Sequence, residues 1–160
     1  MSEDNAMPYK RLPRITSVAP GDQPYTLHIT WDNGGASIVD VSELIATFRA
    51  YAPLRHSPAF FRQVRVGEYG TDVVWTDEVE MSADTLWRLA QEQSGATMSA
   101  DAFHAWRLRN NFTLSEAASA LGLSRRTVAY YDHGDKPIPR TVALATLGLD
   151  QLDRGGAKAW

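Results

Sequence analysis

The chain has 160 residues, of which 44% are hydrophobic and 22% are charged, as in an ordinary globular protein and unlike a disordered or membrane-spanning chain. It contains no cysteine, which excludes disulfides, thiolate catalysis and cysteine zinc sites. Its acidic start lacks the basic and then apolar order of a secretory signal, so we expect a cytoplasmic protein that is not anchored in a membrane.

Charge is distributed unevenly along the chain. The formal net charge is −3, yet the segment from Ala96 to the C-terminus has eight cationic and six anionic side chains and so carries +2. The rest of the chain therefore carries −5. A nucleic-acid-binding domain is often strongly basic. The asymmetry here is mild, so the placement of the cations matters more than their sum.

The first part of the chain predicts a mixture of strands and helices. Residues 25–31 and 36–41 alternate apolar and polar side chains on either side of an Asp-Asn-Gly-Gly turn, which predicts a β-hairpin. Three further strands are predicted over residues 15–18, 64–66 and 71–75. Two helices are predicted to follow the capping residues Ser42 and Ser82. The first helix is expected to run to Tyr51, because Pro53 follows.

A polar segment without apolar periodicity separates the two parts of the chain. Residues 91–97 include Gly95 and three glutamine or glutamate side chains, a composition typical of linkers. We predict an α+β fold. It comprises a small antiparallel-sheet domain with helices over residues 1–92, a linker over 93–98 and an all-α domain over 99–160.

Four short helices are predicted after the linker. Ser99 can cap the first, and Thr113 begins the second in a capping box with a glutamate three residues later. Gly122 permits a tight turn, Ser124 caps a third helix and Gly134 ends it. The fourth is expected to start at Pro139. A helix, a glycine turn and a second capped helix are the parts of a helix-turn-helix.

The third predicted helix begins with two arginines, Arg125 and Arg126. A helix N-terminus favours anions, and the arginine fork pairs with guanine O6 and N7 in the major groove. Thr127 and Tyr130 lie near the same predicted face. This pattern predicts a helix that contacts DNA bases.

Residues 112–134 resemble the lambda-repressor-like (Xre) helix-turn-helix family without a gap. The shared positions are Thr113, Glu116, Ala118, Leu121, Gly122, Ser124, Arg125, Thr127 and Gly134. The resemblance implies a recognition helix, Arg125–His133, in the major groove. It also implies the following site residues: Arg125, Arg126, Thr127 and Tyr130 at bases, and Thr113, Lys136 and Arg140 near phosphates.

The same resemblance implies a partly buried ion pair between Arg107 and Asp132, although an aspartate stands where the family usually has a glutamate. Leu114 occupies a position at which the family commonly has a glutamine that helps to contact DNA. The fourth helix is expected to end before residue 150, and the glycine-rich tail over residues 150–160 is expected to be too short for a fifth helix. The usual dimer surface of the family is therefore not predicted.

Residues 14–87 resemble the bacterial domain of unknown function 2442. The resemblance is carried by residues 39–44, 53–55, 60–66, 73–75 and 84–87. It implies a small α+β fold and supplies no activity.

The sequence thus predicts a sequence-specific DNA-binding protein of bacterial type that regulates transcription. Its expected partners are double-stranded DNA and a second copy bound through the N-terminal domain. One alternative is an antitoxin-type interaction module, whose partner is a protein such as a toxin. A weaker alternative is an enzyme with its site in the N-terminal domain. No catalytic residue, cofactor or metal is expected, because the four histidines are scattered and no catalytic or phosphate-loop motif occurs.

Overall fold

The computed structural model describes residues 11–155. The chain forms two compact units, Met1–Gln93 and Ser94–Trp160, and each has its own hydrophobic core. The acidic start at residues 1–10 and the end of the predicted tail, residues 156–160, lie outside the described residues.

The N-terminal unit contains two antiparallel sheets of three strands each. The first sheet consists of β1 (Ile15–Pro20), β2 (Thr26–Trp31) and β3 (Ala36–Asp40), in that order. The second consists of β4 (Arg65–Val66), β5 (Asp72–Thr76) and β6 (Val79–Ser82), again in chain order. The helices are α1 (Ser42–Thr47), a 3-10 helix over Arg49–Leu54, α2 (Pro58–Phe61) and α3 (Ala83–Gln93). These elements agree with the α+β fold that the sequence predicts.

The predicted hairpin is present because its strand alternation has one buried face. Leu27, Ile29 and Trp31 are buried in the core, whereas His28 and Thr30 between them are exposed. The side chain of Trp31 packs edge-on against Trp87 of α3 at 5.1 Å between ring centroids. Strand β6 is not among the predicted elements, since its first residues continue an acidic segment that is typical of a loop.

The first predicted helix is wrong in its bounds. Ser42 is the first helical residue and not the cap, and the α-helix ends at Thr47 because Phe48 is extended (φ −101°, ψ 127°). The guanidinium of Arg55 accounts for this ending: its Nε donates to the carbonyl of Ile45 at 2.7 Å and its Nη2 to that of Phe48 at 3.1 Å. These carbonyls therefore need no further helical turn.

The C-terminal unit is mainly helical. Its helices are α4 (Ala100–Arg109), α5 (Leu114–Leu121), α6 (Arg125–His133) and α7 (Arg140–Gly155), and a short antiparallel pair joins β7 (Thr97–Met98) to β8 (Ile138–Pro139). Strand β7 occupies part of the segment 93–98 that the sequence assigns to a linker. Because Pro139 pairs with Thr97 in this sheet, it is not the first residue of α7, contrary to the prediction.

Aromatic side chains and small residues form the core of the C-terminal unit. Phe103 contacts Trp106 and Tyr131 at 5.5 and 5.8 Å between ring centroids. Ala117 and Ala118 of α5 are buried, and side chains this small let α5 and α6 pack closely.

The last helix, α7, is longer than predicted. It continues to Gly155, whereas the sequence predicts a tail after the helix from residue 150. Between residues 11 and 155, no helix is long and apolar enough to cross a membrane.

Candidate nucleic-acid interface

Helix α5 begins in the capping box that the sequence predicts. The hydroxyl of Thr113 accepts a hydrogen bond from the amide of Glu116 at 3.1 Å, and the Glu116 carboxylate accepts one from the amide of Thr113 at 3.0 Å. This backbone bond holds the pKa of Glu116 below its usual value. Gly122 ends the helix with φ 70°, a left-handed conformation that glycine adopts without steric cost.

Two residues, Leu123 and Ser124, separate Gly122 from the start of helix α6 at Arg125. The hydroxyl of Ser124 accepts a hydrogen bond from the amide of Thr127 at 3.1 Å and donates one to the Thr127 hydroxyl at 2.9 Å. The Thr127 side chain is half-buried and so helps to fix the cap. Arg125 and Arg126, in the first turn, are exposed. The cap therefore fixes the helix start from which both arginines project.

A nearly buried ion pair joins α4 to α6. Arg107 Nε lies 2.8 Å from Asp132 Oδ1 and Arg107 Nη2 lies 3.2 Å from Oδ2, with side-chain exposures of 14% and 6%. Arg107 also donates to the carbonyl of Phe112 at 2.9 Å. His104 Nδ1 lies 3.0 Å from Asp132 Oδ1. The sequence suggested the Arg107–Asp132 pair through the family resemblance, but it gave no signal for His104.

The charges of this pair support one another. Burial raises the pKa of the Asp132 carboxyl, but hydrogen bonds from Arg107 and His104 outweigh it, so that the pKa lies below the usual value. The hydrogen bond with Asp132 in turn stabilises the charged guanidinium and so raises the pKa of Arg107. The pair is therefore ionised at neutral pH and ties the last turn of α6 to α4.

On the exposed side of α6, Tyr130 lies between two cations. Arg126 Nε donates to the Tyr130 hydroxyl at 2.9 Å, and Lys136 Nζ lies 4.5 Å from the centroid of the Tyr130 ring. Gly134, with φ 81°, ends the helix and turns the chain so that Lys136 reaches the ring. We call Arg126, Tyr130 and Lys136 the Tyr130 cluster. Sequence spacing placed Arg126 and Tyr130 on one face but did not predict that Lys136 joins them.

The described cations of the C-terminal unit fall into two groups. Arg107 and Arg109 each pair with a carboxylate, Asp132 and Asp150 respectively. The other four whose side chains are described are exposed and have no carboxylate within 4.0 Å in residues 94–152: Arg125, Arg126, Lys136 and Arg140. All four are among the residues that the sequence proposes for DNA contact.

The remaining proposed residues begin separate helices. Thr113 is exposed at the start of α5. Arg140 is the first residue of α7, and its Nη1 lies 3.4 Å from the carbonyl of Gly95.

Among residues 11–155, no group of three or more histidine, aspartate or glutamate side chains is arranged to hold a metal ion. Exposed positive charge is the chemical feature that Arg125, Arg126, Lys136 and Arg140 share.

Comparison with known proteins gives two matches. Residues 15–92 match a family model described as a protein of unknown function, DUF2442. The chain is also similar to a crystal structure of NE0471 from Nitrosomonas europaea ATCC 19718, named a candidate DNA-binding protein, with 38% identity, 86% of each chain covered and a TM-score of 0.51. No curated protein matches the chain.

Proposed function

Since this chain belongs to the same protein family as NE0471 and carries the DUF2442 domain in its N-terminal unit, we propose that it is a sequence-specific DNA-binding protein. In this proposal α5 and α6 form a lambda-repressor-like helix-turn-helix of the Xre type. The N-terminal unit controls how the protein occupies its sites, and the chain regulates transcription.

One observation carries the proposal: among the described side chains of the C-terminal unit, the four exposed cations that have no carboxylate partner all lie on α6 or follow it in the chain. Two of them, Arg125 and Arg126, occupy the first turn of α6. The positive end of the helix dipole disfavours cations there. A surface that keeps cations in this place is stabilised when an anion binds. DNA supplies a closely spaced row of anions.

The proposed mechanism assigns different parts of DNA to different residues. The first turn of α6 enters the major groove, where Arg125 and Arg126 pair with guanine and Thr127 lies near the base edges. Lys136, Arg140 and the start of α5 at Thr113 bind phosphates, which set the register of the helix without reading sequence. The ion pair at the end of α6 keeps this helix fixed while it binds.

A second copy of the chain completes the proposed assembly. One small reader contacts few bases, and two copies that contact half-sites about 34 Å apart bind more selectively. We propose that the N-terminal unit supplies this self-association. If it binds a different protein instead, such as a toxin, the chain is an interaction module in which DNA contact is secondary.

Selection from random duplexes by gel shift, at several salt concentrations, tests the proposal. The full chain should enrich a preferred sequence, and its affinity should fall linearly with salt on logarithmic scales. An Arg125→Ala, Arg126→Ala double variant is the test variant, and Arg88→Ala, which breaks an exposed pair in the N-terminal unit, is the control. Folded full-length protein that binds no duplex at any salt concentration would leave the interaction module as the better account.

A further inference from the structure

We infer that Tyr130 is a positioning residue of this surface, which orients Arg126 for DNA and does not itself contact a base. The inference rests on the proposed function and assigns Tyr130 a different role from the base contact that the sequence predicts. Three features of the Tyr130 cluster carry it: the hydrogen bond to Arg126, the position of Lys136 and the burial of the ring.

The hydrogen bond fixes one edge of the Arg126 guanidinium. Arg126 Nε donates to the Tyr130 hydroxyl at 2.9 Å, and the two residues are one helical turn apart. An arginine has five N–H donors in a planar fork. With Nε engaged, the two terminal nitrogens remain free, and together they present a pair of parallel donors. That edge still matches guanine O6 and N7 or two phosphate oxygens.

Lys136 contacts the aromatic ring of Tyr130, whereas Arg126 contacts its hydroxyl. Its ammonium lies 4.5 Å from the Tyr130 ring centroid, whereas the Arg126 guanidinium carbon lies 5.6 Å from it. The path of the chain enforces this contact, because the amide of Asp135 donates to the carbonyl of Tyr130 at 2.8 Å. One aromatic ring therefore contacts two cations, and neither has a carboxylate partner among the described residues.

The half-buried ring makes Tyr130 a fixed platform for long side chains. Tyr130 is partly covered, and its neighbour Tyr131 is buried in the core at 8% exposure. A free arginine or lysine loses rotamer freedom when it binds, which costs about 0.5–1.5 kcal/mol per side chain, or about 2- to 12-fold in affinity. Contacts with Tyr130 order both side chains before DNA arrives and so reduce this loss.

Two variants separate the two contacts. Tyr130→Phe removes the hydroxyl that accepts from Arg126 and keeps the ring beneath Lys136, whereas Tyr130→Leu removes both. On the selected duplex, Tyr130→Phe should weaken binding about two- to tenfold, and Tyr130→Leu should weaken it further. Tyr69→Phe, at an exposed tyrosine of the N-terminal unit, is the matched control and should bind as the wild type does.

A double-mutant cycle distinguishes positioning from direct contact. If Tyr130 acts through Arg126, Tyr130→Phe costs no affinity once Arg126→Ala is present. A cost that persists unchanged in the Arg126→Ala background means that the hydroxyl contacts DNA itself, and it overturns the inference while the proposed function stands. If the wild-type chain binds no duplex, the proposed function fails first, and this inference fails with it.

A measurement on the free protein adds a readout that does not depend on DNA. In NMR spectra the Nε–H proton of Arg126 should exchange slowly with water in the wild type and rapidly in Tyr130→Phe. Thermal unfolding should be the same in both, since the hydroxyl is not part of the core. Rapid exchange in the wild type would overturn the inference, because Arg126 would then be unrestrained before binding.

Discussion

The strongest structural prediction concerns Asp132, whose removal should destabilise the C-terminal unit. Its carboxylate is 6% exposed and accepts from Arg107, whose side chain is 14% exposed. Asp132→Ala leaves that guanidinium nearly buried without a counter-ion, which costs about 3–5 kcal/mol when burial is deep. Arg107 keeps its bond to the carbonyl of Phe112. We therefore expect a loss at the lower end, about 3 kcal/mol.

Urea unfolding followed by circular dichroism at 222 nm measures this loss, and amide hydrogen exchange in α6 localises it. Arg109→Ala is the control, because it breaks a pair whose arginine is 57% exposed and should cost less than about 1 kcal/mol. If the two variants are equally stable, the ion pair does not anchor α6 and the reasoning from burial is refuted.

The same carboxylate predicts a dependence of stability on pH. The pKa of Asp132 is lower in the folded chain than its usual value, so its contribution is complete above the unfolded-state pKa of about 3.9. It is lost as the pH falls through the lower, folded-state value. The difference in unfolding free energy between the wild type and Asp132→Ala should therefore shrink only at acid pH, as urea unfolding at a series of pH values would measure. A difference that grows on acidification would contradict the assignment.

Three further predictions concern binding. Arg125→Ala should cost about 1–3 kcal/mol on the preferred site and relax specificity at one base pair, measured by fluorescence anisotropy on matched duplexes; a uniform loss on all sequences would refute base contact. Lys136→Ala and Arg140→Ala should weaken binding to all sequences alike and flatten the logarithmic salt dependence by about 0.9 for each lost contact; an unchanged slope would refute phosphate contact. A fragment of residues 94–160 should fold, because it has its own core, yet sediment as a monomer and bind DNA more weakly than the full chain; a dimeric fragment of full affinity would refute the role given to the N-terminal unit.

The parts of the fold that the sequence predicts are those with strong local signals. The hairpin follows from alternation in β2 and β3, and the helix starts at Thr113 and Ser124 follow from side-chain caps that the structure contains. The predicted start of α1 is wrong because a serine before an apolar stripe, such as Ser42, is typical of a cap. Its predicted end is wrong because the end of α1 depends on Arg55, ten residues after Ile45 in the chain. The β7–β8 pair joins residues that are distant in sequence, which local patterns do not specify. Strand β6 pairs with its neighbour β5 across a short turn, but the acidic residues at this turn are typical of a loop and conceal the strand.

The candidate interface was predictable to a similar extent. Its individual residues follow from the helix-turn-helix motif, since a capped helix that begins with two arginines favours an anionic partner. The contacts between them did not follow from spacing, because the approach of Lys136 to Tyr130 requires the left-handed turn at Gly134 and the chain direction after it. His104 was missed because a lone exposed histidine on α4 gives no sign of the carboxylate that lies across from it.

Amide hydrogen exchange of the full chain, with and without the selected duplex, tests the central claim most directly. The account predicts slower exchange around the start of α5, α6 and Lys136 with the selected duplex, and a weaker effect with a scrambled duplex of the same length and charge. Unchanged exchange in these segments, or slowing confined to residues 15–92, would contradict the claim that α6 is the DNA-binding helix.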